Sequence, residues 1–105
     1  MTLELASGRV IEHPTEADIR SGIEAEEFAI LGSGPATYIQ CKRISPECDG
    51  YWLEYQEGSL DAHYEVVDIP VLGSQVAAAF LKYVQSDNSW RSDFKWEKMD
   101  NPLGA

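Results

Sequence analysis

Basic residues are scarce in this chain and missing from its middle. Eight Lys and Arg stand against eighteen Asp and Glu, a net charge of −10, and none of the eight falls between Ile44 and Leu81. Such a charge balance repels phosphate and argues against nucleic acid as a direct ligand. Cysteine is equally sparse. Cys41 and Cys48 are the only two, with no CxxC and no nearby His to complete a zinc set. They read as reduced thiols, since a bridge also needs matching register and geometry. No apolar run approaches the roughly 20 residues of a membrane span. The opening MTLELASGRV lacks the basic start and apolar stretch of a secretory signal, so a cytoplasmic location is the expectation. Gly32-Ser33-Gly34-Pro35 is too short and proline-blocked to cradle phosphate, and no nucleophile motif or metal-ligand spacing is present. Neither a cofactor nor a metal is expected.

What is present suits one α+β domain over residues 1–105, long enough for a single core without staples. Leu3 to Glu12 reads as an edge-type extended segment bent at Ser7-Gly8, with a strand over Arg9 to His13. Thr15 and Asp18 approximate a capping box for a short helix that carries Ile19 and Ile23 and ends near Glu26. Phe28 to Leu31 is a short apolar run, closed by the turn signal Gly32 to Pro35. Strands are expected at Ala36 to Ile44, Tyr51 to Gln56 and Asp61 to Ile69, the last stopped by Pro70. Ser74 is the expected N-cap of the better helix, whose stripe is Val76, Phe80, Tyr83 and Val84. Trp90 to Met99 alternates as a final strand, with Phe94 and Trp96 on one side and Lys95 and Glu97 on the other. The last six residues should fray. The order β-α-ββββ-α-β implies an antiparallel sheet of five to six strands with two helices on one face.

The acidic excess lies upstream of residue 82, because Lys82, Arg91, Lys95 and Lys98 balance Asp87, Asp93, Glu97 and Asp100. Between Ile44 and Leu81 seven acidic residues occur, Glu47, Asp49, Glu54, Glu57, Asp61, Glu65 and Asp68. A four-residue loop at Glu57 to Leu60 would set Glu54 opposite His63 and Trp52 opposite Glu65. One side of that hairpin then gathers Tyr51, Leu53, Tyr55, Ala62, Tyr64 and Val66, an apolar face for the helices. The other gathers Trp52, Glu54, Gln56, Asp61, His63 and Glu65. A large aromatic among carboxylates suits an anchor-plus-charge interface for a basic protein. Trp52 is the expected anchor, with Glu54, Asp61, His63 and Glu65 around it and Asp49 and Glu57 at the rim.

Other readings compete. Trp52 could be covered by the N-terminal segment, leaving the carboxylates as ordinary solvated positions. Glu54, His63 and Asp61 are the right residue types for an acid–base enzyme, although a strand face is flat where catalytic sites are concave. A homodimer through exposed strand edges is a further alternative. Trp90, Phe94 and Trp96 could stack single-stranded nucleic acid, but no basic groove accompanies them. They read as core packed on Phe80 and Tyr83.

The run LEYQEGSLDAHYEV, the helix AAAFLKYVQSD and the closing SWRSDFKW together resemble small bacterial immunity proteins of polymorphic-toxin systems. The likeness is to their α+β family ending in a helix and a Trp-bearing strand, and it covers Tyr51 to Met99. Related sequences include bacterial proteins of unassigned function. Phe94 stands where a second Trp of a paired motif would be expected. The resemblance implies a non-catalytic inhibitor that binds a cognate toxin domain, often a nuclease or deaminase. The family's C-terminal aromatics fall on Trp90 and Trp96, as structural residues.

Overall fold

The computed structural model describes residues 1–99; the expected fraying of the last six residues and the charge of Asp100 fall at or beyond that limit. Ten elements of regular structure follow in the order β1 (Thr2–Leu5), β2 (Val10–Glu12), α1 (Glu16–Ala25), β3 (Phe28–Gly34), β4 (Thr37–Arg43), β5 (Gly50–Glu57), β6 (His63–Val66), β7 (Val71–Leu72), α2 (Gly73–Val84) and β8 (Trp96–Lys98). All strand pairs are antiparallel, and the sheet runs β2-β1-β3-β4-β5-β6-β8, with β7 on the free end of β5. The α+β class is as expected, with more strands than the five to six anticipated.

The extra N-terminal strand and the longer β3 have local causes. Ser7-Gly8 is a full hairpin turn, with Gly8 at φ 92° and its N–H on the Leu5 carbonyl at 2.9 Å. It splits the N-terminal segment into β1 and β2, so the sheet edge is β2, while β1 is interior. The turn signal at Gly32 to Pro35 is half strand, because β3 continues through a bulge between Gly32 and Gly34. A Cβ on Gly32 would lie 2.7 Å from the Thr37 carbonyl oxygen, which is why glycine stands there.

The capping box forms as read. Thr15 Oγ1 accepts from the Asp18 N–H at 3.2 Å, and the Thr15 N–H donates to Asp18 Oδ2 at 2.9 Å. Hydrogen bonding from Thr15 holds the Asp18 carboxyl below its ordinary 3.8, the backbone N–H first and the hydroxyl second. Thr15→Ala should cost about 1 kcal/mol of stability. Because the folded carboxyl is the more acidic, Asp18's contribution is complete above the unfolded value and fades as pH falls through the folded one. Thermal unfolding of Asp18→Ala beside wild type should show a gap at neutral pH that closes in acid. A gap indifferent to pH would remove the ionised cap.

The second helix begins two residues earlier than expected. Ser74 lies inside its first turn, and the Leu72 N–H is met by Gln75 Oε1 at 3.0 Å. Trp90 to Met99 is not one strand. Asp87 accepts from the Ser89 N–H and starts a 3-10 turn over Asn88–Asp93, which folds Trp90 back against the core and leaves only Trp96–Lys98 to pair with β6. Asp61 to Ile69 is likewise cut to His63–Val66, because Leu60–Ala62 form a second 3-10 turn.

Leu3, Leu5, Ala29, Leu31, Ile39, Cys41, Tyr51, Leu53, Tyr55 and Val66 alternate onto one sheet face and are buried. The helices cover that face. Gly22 of α1 meets Leu5 closely, and Tyr51 Oη donates to the Ile23 carbonyl at 3.0 Å. Val76, Ala79 and Phe80 of α2 complete the core. Both cysteines are free, and burial pushes the Cys41 thiol up to about 12. No helix among the described residues is long and apolar enough to cross a membrane.

Candidate functional site

Burying one face of the sheet leaves the other without a helix among the described residues, and the registers set its side chains in rows. Phe28, Lys42 and Trp52 stand abreast on β3, β4 and β5. The next row runs Glu4, Ile30, Gln40, Glu54, Glu65 and Glu97 across six strands. A third places Thr2, Gly32, Tyr38, Gln56 and His63 side by side.

The β5–β6 pairing differs by two residues from the expected one. Glu54 lies opposite Glu65, Tyr55 opposite Tyr64 and Gln56 opposite His63. A slip of two preserves which residues share a face, so the apolar and polar sets survive. The 3-10 turn, closed by Ala62 N–H on the Ser59 carbonyl at 3.0 Å, takes up the extra length. It also removes Ala62 from the apolar ladder and Asp61 from the acidic one.

His63 is only 3% exposed and sits at the centre of a polar chain. Its Nε2 lies 2.8 Å from Glu54 Oε1 and its Nδ1 3.0 Å from Gln56 Oε1. The Gln56 amide has a fixed sense, since its nitrogen donates to the Ala36 carbonyl and its oxygen accepts from Tyr38 Oη, both at 3.2 Å. Gln40 Nε2 donates to the same Glu54 oxygen at 3.2 Å. Both imidazole nitrogens thus face oxygen acceptors, and both bonds form together only when each nitrogen carries a hydrogen. Each ring nitrogen already lies against a protein oxygen, so neither is open to a substrate. The imidazole holds Glu54 in place.

Glu54, Glu65 and Glu97 come directly abreast, an arrangement of like charges that destabilises a sheet. Among the described residues no Lys or Arg forms an ion pair with any of them, and the side chains that reach the row, His63 and Gln40, both meet Glu54. Beside it Trp52 is 37% exposed and lines a cleft of about 280 Å³ with Phe28, Ile30, Lys42 and Glu54. The N-terminal hairpin does not lie over Trp52, because β3 and β4 stand between β1 and β5. Leu72, 49% exposed, lies opposite Gly50 on the same open side.

Of the seven residues expected at the site, Trp52, Glu54, His63 and Glu65 come together on this face. Asp61 sits exposed in the 3-10 turn. Asp49 turns to the helix side, where its Oδ1 lies 2.7 Å from the Cβ position of Gly73. Glu57 pairs with Arg91, whose guanidinium lies over the Tyr55 and Trp90 rings, also on the helix side. Glu97 and Glu4 replace them. Both were accessible from alternation, Glu97 opposite in phase to Trp96 and Glu4 between Leu3 and Leu5. The described residues contain no group of three or more His, Cys, Asp or Glu placed to hold a metal ion. Comparison of the chain with family models, with curated proteins and with solved structures gave no match.

Proposed function

We propose that this chain is a protein-binding module of the immunity-inhibitor kind, docking a basic toxin domain such as a nuclease or deaminase through its open sheet face. The observation that carries the reading is the row Glu54, Glu65 and Glu97, unpaired by any Lys or Arg among the described residues and flanked by the exposed Trp52. Three carboxylates set side by side cost stability that a cationic partner would return on binding. A second copy of the chain is a poor occupant, since two such faces would repel. The Glu54–His63–Asp61 acid–base set loses support, because Asp61 is elsewhere and His63 has no free nitrogen.

Rim charges act mainly on association and the aromatic anchor on dissociation. Trp52→Ala should weaken partner binding by about 2 kcal/mol or more, roughly 30-fold, with the fold intact. The test is capture of a basic protein by wild type at low and high salt, beside the Glu65→Lys/Glu97→Lys variant, with Kd then measured on the purified pair. One basic partner, bound by wild type and released by reversal and by salt, is the expected result. A partner indifferent to both changes, or none, sinks the reading.

A further inference from the structure

The third row of the open face contains a gap. Gly32 has no side chain, and a depression of about 490 Å³ opens above it, walled by Thr2, Glu4, Ile30, Tyr38 and Gln40 and closed by the turn through Pro35. Its wall also carries the Thr2 and Ser33 hydroxyls, which can donate or accept. The Tyr38 hydroxyl donates to Gln56 Oε1 at 3.2 Å, on the β5 side, so what Tyr38 offers the hollow is its ring. Burial and then the Glu54 charge push the Tyr38 pKa up, which keeps the hydroxyl proton in place. Gln40 donates toward Glu54, leaving its carbonyl oxygen without a partner among the described residues. Glu4, the one charged side chain on the wall, is a carboxylate outside any ion pair among the described residues.

One carboxylate thus borders a hollow whose remaining surface includes Ile30 and the Tyr38 ring. A donor-rich cation on an aliphatic stem matches that combination, with the stem along Ile30 and the head between Glu4 and the aromatic ring. We propose that this depression is the receptor for a single Lys or Arg side chain of the basic partner, making Glu4 and Tyr38 specificity-determining residues of the face. The inference rests on the docking reading above and adds the partner group that it selects. Gly32 serves the site twice, since it permits the bulge and leaves the hollow empty.

The experiment needs no partner. N-acetyl-arginine methylamide, N-acetyl-lysine methylamide and the neutral N-acetyl-citrulline methylamide are titrated into the nitrogen-15-labelled full chain, and backbone amide shifts are followed. Saturable shifts from the two cations at Thr2, Glu4, Gly32 and Tyr38 are expected, with citrulline without effect. Glu4→Gln, on an exposed position, should weaken them roughly two- to fivefold, the worth of one exposed ion pair. Shifts confined to Glu54, Glu65 and Glu97, equal response to citrulline, no response, or indifference to Glu4→Gln would each overturn the receptor. Any of these leaves the docking reading standing if Glu65→Lys/Glu97→Lys still releases a basic protein. Loss of that release with the depression still binding cations would separate the two the other way.

Discussion

Trp90→Ala should lose about 3–5 kcal/mol of folding stability, enough to leave a domain of this size largely unfolded near its ordinary margin. Trp90 is 0% exposed and has the largest fully buried side chain. Its ring meets Tyr55 edge-on at 4.8 Å and Trp96 at 5.6 Å, with Tyr83 of α2 at 5.7 Å. It therefore ties the second helix to β5 and β8, the strands that flank β6. Removing it opens a cavity where three elements meet, and aromatic rings around the hole cannot close it without leaving their own contacts. Trp90→Phe should cost clearly less. It keeps a ring in place and deletes an indole N–H that finds no acceptor among the described residues. Denaturant midpoints of the three proteins check both statements, and an alanine variant within 1 kcal/mol of wild type, roughly the loss from an average substitution, would show that Trp90 is not a keystone.

His63→Ala should cost about 2–4 kcal/mol, from the lost imidazole volume and from two oxygens left short of a donor. Glu54 keeps Gln40, and Gln56 keeps Tyr38, so the network is weakened at its middle and not dissolved. The consequence for function is separable from stability. Without the ring, Glu54 loses its positioning bond, and the row of three carboxylates loses the imidazole that contacts it. A double-mutant cycle with Glu54→Gln isolates the coupling. The second change should cost less in the His63→Ala background than in wild type. Additive losses would mean that the 2.8 Å contact contributes nothing beyond packing.

Much of this architecture is local and so was legible. Thr15 and Asp18 are three residues apart, and their reciprocal bonds form within one helical turn whatever the rest of the chain does. The apolar stripe of α2 and the alternation of β5 are likewise properties of a helix or strand repeat. Several of the readings that failed needed information from a distance. Trp90 to Met99 alternates well enough for a strand, but burial against Tyr55 and Tyr83 outweighs that pattern and turns its first half into a 3-10 segment. Pro70 marked a stop, without revealing that Val71–Leu72 would pair again with β5.

The candidate site divides the same way. Alternation alone put Trp52, Glu54, His63 and Glu65 on one face, since any even register preserves that grouping. It could not choose between two registers two residues apart, and that choice is what sets Glu54 beside Glu65 instead of opposite His63. Nor could it bring Glu97 alongside, because the neighbours of β6 depend on where the chain returns after α2. Asp49 and Glu57 left the site for the same reason. Their surroundings are set by Gly73 and Arg91, residues far along the chain that only packing brings near. By itself the sequence determined the acidic charge, the cap of the first helix and the two-faced strands, because each follows from composition or from residues within a turn or two. The tertiary structure alone decided which carboxylates stand abreast and what lies beside them, because register and strand order are settled by contacts between distant segments.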